Sequence, residues 1–172
     1  IVPSGSCAGM MGHDYLQLFE GSPEFDKVQR FAARVYDLSQ YLDEILQVNY
    51  EDKGEKIKVA WHSNCHALRV AKSVEASKNL IRKFANVELL ELEHEEECCG
   101  FGGTFAVKEN DISNAMALAK IEDIKKTGAS YLISGDGGCL LNISGTMKRN
   151  GVDIKCLHLY DFLIKRLEGA PL

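Results

Sequence analysis

The chain has 172 residues and a formal net charge of −5, from 20 basic and 25 acidic side chains, with 45% hydrophobic and 26% charged residues. That length allows one domain, or one and a half, with a proper core, and the balance is that of a folded globular protein rather than a disordered one. The acidic balance argues against a nucleic-acid partner, which needs a basic face; no apolar run approaches the ~18–20 residues that span a bilayer, and no secretory signal is visible at the start.

Residue 1 is Ile, and Ile1-Val2-Pro3-Ser4-Gly5-Ser6-Cys7 reads as the end of a strand entering a loop. The expectation is a fragment or a processed piece. Ser22-Pro23-Glu24 predicts a helix start, with Ser as N-cap, Pro in the first turn and an acid at the positive end of the dipole. Val28, Phe31, Ala32, Val35, Leu38, Leu42, Ile45 and Leu46 keep helical spacing, predicting one helix over 23–47. A charged loop around Gly54 follows. Ile57, Val59 and Trp61 alternate with Lys58 and Ala60, predicting a strand over 57–62 that enters His62-Ser63-Asn64-Cys65-His66.

Val70, Val74, Leu80, Ile81 and Phe84 predict a helix over about 67–85, and 87–92 reads as the next strand. The acidic run Glu93 to Glu97 reads as a solvated face. It leads into the loop Cys98-Cys99-Gly100-Phe101-Gly102-Gly103. Asn110 or Asp111 is expected to cap a helix carrying Ile112, Ala115, Met116 and Ala119, ended by Gly128 at C′. Tyr131-Leu132-Ile133 reads as a short buried strand entering Ser134-Gly135-Asp136-Gly137-Gly138-Cys139, with a helix beginning near Leu140. A last strand over 153–157 and a last helix over 159–167 complete the chain.

Strands alternating with helices from residue 57 onward predict an α/β fold, a Rossmann-like parallel sheet with flanking helices. In such folds ligands bind at the carboxyl ends of the strands. Cys65, Cys98 and Cys139 each fall just after a predicted strand, so three strand ends aim thiols at one edge of the sheet. Of the six cysteines, adjacent Cys98 and Cys99 are poor disulfide partners for each other, and thiolates kept for a metal or redox task fit better than a disulfide framework. A thiol–disulfide exchange role for the Cys98-Cys99 pair is a further reading. Cys156, in a strand, reads as a buried small hydrophobe, and Cys7 as a free thiol. His62 and His66 flank Cys65 and are either ligands or shapers of the loop; His13, His94 and His158 read as structural or exposed. The glycine loop at 100–103 lacks the G-x-G-x-x-G order of a phosphate cradle.

The chain also holds a partial internal repeat. Pro3-Ser4-Gly5-Ser6-Cys7 is similar to Gly135-Asp136-Gly137-Gly138-Cys139, and Asp37-Leu38-Ser39-Gln40-Tyr41-Leu42 to His158-Leu159-Tyr160-Asp161-Phe162-Leu163. The first copy lacks its front half. Residues 1–50 are therefore expected to be the C-terminal part of a first domain and residues 51–172 a complete second one. The 23–47 helix should pack its apolar stripe on the second domain, and apolar surface left exposed should invite homodimerisation.

Thirty-two residues separate Cys65 from Cys98, and 39 separate Cys99 from Cys139. On this pattern the chain resembles the cysteine-rich CCG-domain family, which includes the cysteine-rich component of heterodisulfide reductase, the glycolate oxidase iron–sulfur subunit and lactate utilization protein A. Cys98-Cys99-Gly100-Phe101-Gly102-Gly103-Thr104-Phe105-Ala106-Val107-Lys108, Val2-Pro3-Ser4-Gly5-Ser6-Cys7 and Cys139-Leu140-Leu141-Asn142-Ile143-Ser144-Gly145 are similar to the lactate utilization branch. The resemblance implies tandem CCG domains, the first of them truncated here. It implies a cytoplasmic iron–sulfur subunit of an L-lactate-oxidising system, an oxidoreductase part rather than a complete enzyme, associated with membranes only through partners. Those partners would be the other two lactate utilization subunits, with an electron carrier or quinone pool reached indirectly. The glycolate oxidase iron–sulfur subunit is the alternative within the family.

Cys65, Cys98, Cys99 and Cys139 are the implied ligands, with Asp136 and His66 as further candidates. In heterodisulfide reductase the motif ends C-x-x-C and supplies five cysteines to a non-cubane cluster; here Asp136 holds the place of the first of that pair. Four thiolates suit an ordinary four-iron cluster, or zinc in a structural or interaction module.

Overall fold

The computed structural model describes residues 1–172. Four parallel strands, β1 (Ile57–His62), β2 (Val87–Leu90), β3 (Tyr131–Ser134) and β4 (Lys155–His158), form one sheet in the order β2-β1-β3-β4. β1 is central: Ala60 stands opposite Leu90 on one side and Leu132 on the other. Its last four residues are buried, as in a parallel sheet covered on both faces. The predicted α/β class is thus the observed one. β2 is shorter at its end than the sequence pattern implies, and β4 is shifted to include His158.

The first fifty residues depart from the expectation of one long helix. α1 (Gly5–Gly9) passes through a π-helical stretch, Met10–Asp14, into α2 (Tyr15–Leu18). α3 (Phe25–Ala32) starts after Glu24, with no side-chain cap from Ser22. The helix then stops, because Asp37 is drawn into a parallel bridge with Val2: Val2 N donates to the Tyr36 carbonyl and Leu38 N to the Val2 carbonyl, both at 2.9 Å. Asp37 itself is extended and accepts from Ser39 N at 2.8 Å, capping α4 (Leu38–Gln40), which runs on as a π-helical stretch, Tyr41–Ile45.

The region from residue 64 begins with Cys65, His66 and a π-helical stretch, Ala67–Ala71, ended by Lys72 in the left-handed region (φ 53°). α5 (Val74–Arg82) follows, so the predicted 67–85 helix is two pieces. α6 (Phe105–Lys108) is a single turn, and α7 (Asn110–Thr127) starts without a side-chain cap and ends on Gly128 at φ 70°, as expected of a C-terminal glycine. α8 (Gly137–Arg149) begins three residues earlier than the sequence pattern implies, and α9 (Leu159–Glu168) closes the chain.

The period-2 alternation of β1 divides the core. Val59 and Trp61 face a cluster with Leu80 and Ile81 of α5, Phe84 just beyond it, and Phe162 of α9. Ala60 faces the opposite cluster, with Ile121 and Ile124 of α7 and Ile143 and Met147 of α8. Truncating a fully buried Trp61 to Ala would cost roughly 3–5 kcal/mol. The first segment docks on the sheet domain through α1, which meets the Ala67–Ala71 stretch, and through α4 and the Tyr41–Ile45 stretch, which meet α5; α3 instead packs on α2 and Met10–Asp14. The apolar stripe of the predicted 23–47 helix is consequently divided, and Phe31, Tyr36, Ile45 and Leu46 remain exposed. No helix is long and apolar enough to cross a membrane.

Candidate metal centre

Each thiol reaches the sheet edge through its own turn. After β1, Asn64 Oδ1 accepts from Ala67 N at 2.8 Å and caps the turn that carries Cys65 and His66. After β3, Asp136 caps α8, its Oδ1 accepting from Gly138 N at 3.0 Å and Cys139 N at 3.2 Å. That cap fixes the first turn of α8, and with it the position of Cys139.

The loop after β2 is held from three sides. Trp61 Nε1 donates to Ser63 Oγ at 2.8 Å, and Ser63 Oγ donates to Glu95 Oε1. Lys78, almost fully buried, donates to Glu91 at 2.6 Å and Glu95 at 2.8 Å. His94 N donates to Asp123 Oδ2 at 2.9 Å, and Lys120 Nζ donates to the His94 carbonyl. The acidic run is therefore not merely a solvated face: Glu95 is built into the support of the site. Asn142 Nδ2 donates to the Cys99 carbonyl at 2.8 Å, tying α8 to the Cys98-Cys99 turn.

Two glycines allow the final approach. Gly100 sits at φ +81°, and a Cβ there would lie 2.5 Å from the Ser113 carbonyl oxygen. A Cβ on Gly138 would lie 2.4 Å from the Phe101 ring. The CCG loop and the start of α8 thus close on each other through positions that leave no room for a side chain.

The result is a row of thiols. Cys65 lies near Cys98, Cys98 adjoins Cys99 in the chain, and the sulfurs of Cys99 and Cys139 lie within 4.8 Å of each other. The neighbouring Cys99 thiol and burial push Cys98 up from its ordinary value, while Cys99, in contact with Cys139, is pushed up to about 12; burial and the nearby Cys98 raise Cys65. Thiols this close resist losing several protons together, unless a cation replaces those protons. Cys99 and Cys139 are buried, and Cys65 and Cys98 are partly exposed, Cys98 lining a groove of about 400 Å³ with Arg69, Glu96 and Met116. This donor set suits a soft, thiophilic metal or an iron–sulfur cluster.

The other candidates stand apart. Asp136 has its Oδ1 in the α8 cap and its Oδ2 accepting from Ser6 Oγ at 2.6 Å, so it positions the loop. His66 Nε2 pairs with Asp14 Oδ2 at 3.2 Å. Cys7 is exposed, and Cys156 packs on the Met147 sulfur at 3.8 Å, with burial raising its thiol to about 11.

His62 is the residue whose role the sequence leaves open. It is 1% exposed, and one of its ring nitrogens and the sulfurs of Cys99 and Cys139 all lie within 4.8 Å of one another. Strand alternation carries the signal. His62 shares the Ala60 face of β1, the face on which Cys99 and Cys139 are buried.

A cysteine-rich domain family matches residues 59–144, the span from β1 into α8. Lactate utilization protein A of Oceanobacillus iheyensis is 38% identical over 169 residues, covering 98% of this chain and 69% of the relative. The protein of the same name from Geobacillus sp. WCH70 is 40% identical over 169 residues, covering 96% and 70%. That from Shouchella clausii is 41% identical over 166 residues, covering 95% and 68%. With the cysteine-rich domain matched over half its length and these relatives over nearly all of it, the chain belongs to the lactate utilization protein A family.

Proposed function

We propose that the chain is an iron–sulfur redox subunit of a multi-protein system that oxidises L-lactate to pyruvate, with Cys65, Cys98, Cys99 and Cys139 holding a four-iron cluster. The observation that carries this reading is the convergence of thiols from three strand ends, with the Cys99 and Cys139 sulfurs within 4.8 Å of each other. The lactate assignment rests on the relatives, which are named for lactate utilization. Bound there, a cluster supplies one-electron transfer.

The protein's own residues do the rest. Asp136 and Asn64 cap the turns that present Cys139 and Cys65, and Asn142 holds the Cys99 carbonyl. The two buried cysteines keep one side of the site dry, while Cys98 in its groove faces the surface from which electrons enter or leave. The partners in this reading are the other two lactate utilization subunits, and through them an electron carrier or quinone pool. Residues 1–50 are read as the end of a first cysteine-rich domain and 51–172 as a second.

Zinc in a structural site is the second reading, favoured by the mixed grouping of His62 with Cys99 and Cys139, since zinc accepts such nitrogen and sulfur ligands. Anaerobic purification followed by iron, sulfide and zinc analysis separates the two. A brown protein with iron and acid-labile sulfide, lost in Cys98→Ser or Cys99→Ser together with lactate-dependent electron transfer in the assembled system, supports the relay. Stoichiometric zinc, or full activity in Cys98→Ser, overturns it.

A further inference from the structure

We propose that His62 is a direct ligand of the metal centre, its imidazole nitrogen completing a mixed donor set with the buried thiolates of Cys99 and Cys139. The inference rests on the metal-binding reading above and goes beyond it in naming a ligand of different chemistry on a different element.

His62 is the last residue of β1 and is essentially inaccessible to solvent. Its Nδ1 has no hydrogen-bond partner, although a buried polar atom is ordinarily paired. A ring nitrogen of the same residue lies within 4.8 Å of the sulfurs of both Cys99 and Cys139, the two most buried thiols of the row. β1 is paired to β2 as far as Ala60 and to β3 as far as His62, which stands opposite Ser134. The pairing fixes the position of His62 at the carboxyl end of the sheet.

The neighbouring alternatives are already engaged. Asp136 is committed to Ser6, Gly138 and Cys139, and His66 to Asp14. Neutral imidazole is a good donor for both iron and zinc, and it adds no negative charge to a site that gathers four thiolates. A donor that is uncharged and buried suits this crowded centre better than a further anion.

The test uses protein grown with ¹⁵N-histidine, purified anaerobically, with its metal content measured first. For an iron centre, pulsed EPR of the dithionite-reduced protein should show coupling to a histidine nitrogen. The coupling should vanish in His62→Gln and persist in His66→Gln. For a zinc centre, X-ray absorption at the zinc edge should show one nitrogen among the atoms bound to the metal, again lost in His62→Gln. Metal retention against a chelator should fall on the order of tenfold or more in His62→Ala and return in His62→Cys, which restores a donor. A metal-loaded unaltered protein with no histidine nitrogen at the metal overturns the ligand assignment and leaves the metal site standing. A coupling that survives His62→Gln also overturns it. An unaltered protein that holds no metal under these conditions overturns both.

Discussion

Ser6 Oγ donates a hydrogen bond of 2.6 Å to Asp136 Oδ2 across 130 positions of sequence. The two residues belong to the two copies of one local design. In the second copy, Ser134 of β3 pairs with His158, Asp136 caps α8 two residues on, and Cys139 follows. In the first, Val2 pairs with Asp37, Ser4 caps α1 two residues on, and Cys7 follows. Asp37 and His158 each cap the next helix, accepting from Ser39 N and Tyr160 N. The Ser6–Asp136 bond joins the first turn of α1 in one copy to the cap of α8 in the other.

Asp136→Ala should therefore act on folding more than on ligation. It removes the α8 cap and strands the Ser6 hydroxyl, costing roughly 0.5–2 kcal/mol. Asp136→Asn, which keeps an acceptor for the α8 amides, should cost less. Urea unfolding of the two variants measures the difference, and both should keep most of their metal. Complete metal loss in Asp136→Ala with unaltered stability would make the carboxylate a ligand instead.

Gly100→Ala should be far more damaging than most surface substitutions. The residue is at φ +81°, and its Cβ would meet a main-chain oxygen of α7, Ser113 O, at 2.5 Å. The left-handed backbone alone costs about 1–2 kcal/mol for a residue with a side chain, and the backbone clash adds to it. The Cys98-Cys99 turn must then move away from α7. The expected result is a lower melting temperature together with impaired metal retention. A variant with native stability and full metal content would show that the loop is free to shift.

The sheet is legible in the sequence because its strands are short apolar runs separated by strong helical patterns, and the thiols at their ends follow from chain direction alone. The 23–47 helix misleads for a non-local reason: the periodicity of Val28 to Leu46 is helical, but Val2 takes Asp37 out of the helix, and that pairing leaves no local trace. The 67–85 helix breaks at Lys72, an unusual residue for a left-handed backbone, where no glycine or proline announces a stop. Gly137-Gly138 reads as loop and hides the true start of α8, although Asp136 is a strong N-cap signal. In sequence His62 lies closest to Cys65, whereas its β1 face carries it to Cys99 and Cys139.

Acid should weaken the contact between the sheet domain and residues 52–55. Asp52 and Arg166 form a nearly fully buried ion pair, and Arg166 Nη1 also donates to the Glu55 carbonyl at 2.8 Å. Despite burial, which pushes the other way, hydrogen bonds from Arg166, Asn86 N and Gly54 N hold the Asp52 carboxyl below its ordinary value. A carboxylate depressed in the folded state contributes stability above its unfolded pKa, near 4, and loses it as pH falls through the folded value. Asp52→Ala leaves Arg166 charged and unpaired, so it should cost roughly 3–5 kcal/mol at neutral pH. The gap between it and the unaltered protein should narrow below about pH 4. Urea titrations at neutral and acid pH test this; a gap independent of pH would mean that packing around Asp52, not its charge, carries the effect.

Lys120 offers a separate test of the redox reading. It is fully buried on α7, and its ammonium reaches the His94 carbonyl in the turn that leads to the cysteine pair. Burial pulls its pKa down, while Asp123, Glu97, Glu95 and Cys99 favour its charged form. A buried cation in the turn that leads to the cysteine pair favours the added negative charge of a reduced centre. Lys120→Met keeps the apolar stem and removes the charge and the donor. The unpaired His94 carbonyl should cost about 1–3 kcal/mol, and the midpoint potential of an iron-loaded protein should move to more negative values. An anaerobic potentiometric titration followed by absorbance measures the shift directly. A destabilised variant with an unchanged potential would assign Lys120 to holding the 93–97 turn alone; a more negative potential would make it part of the electrostatic setting of the centre.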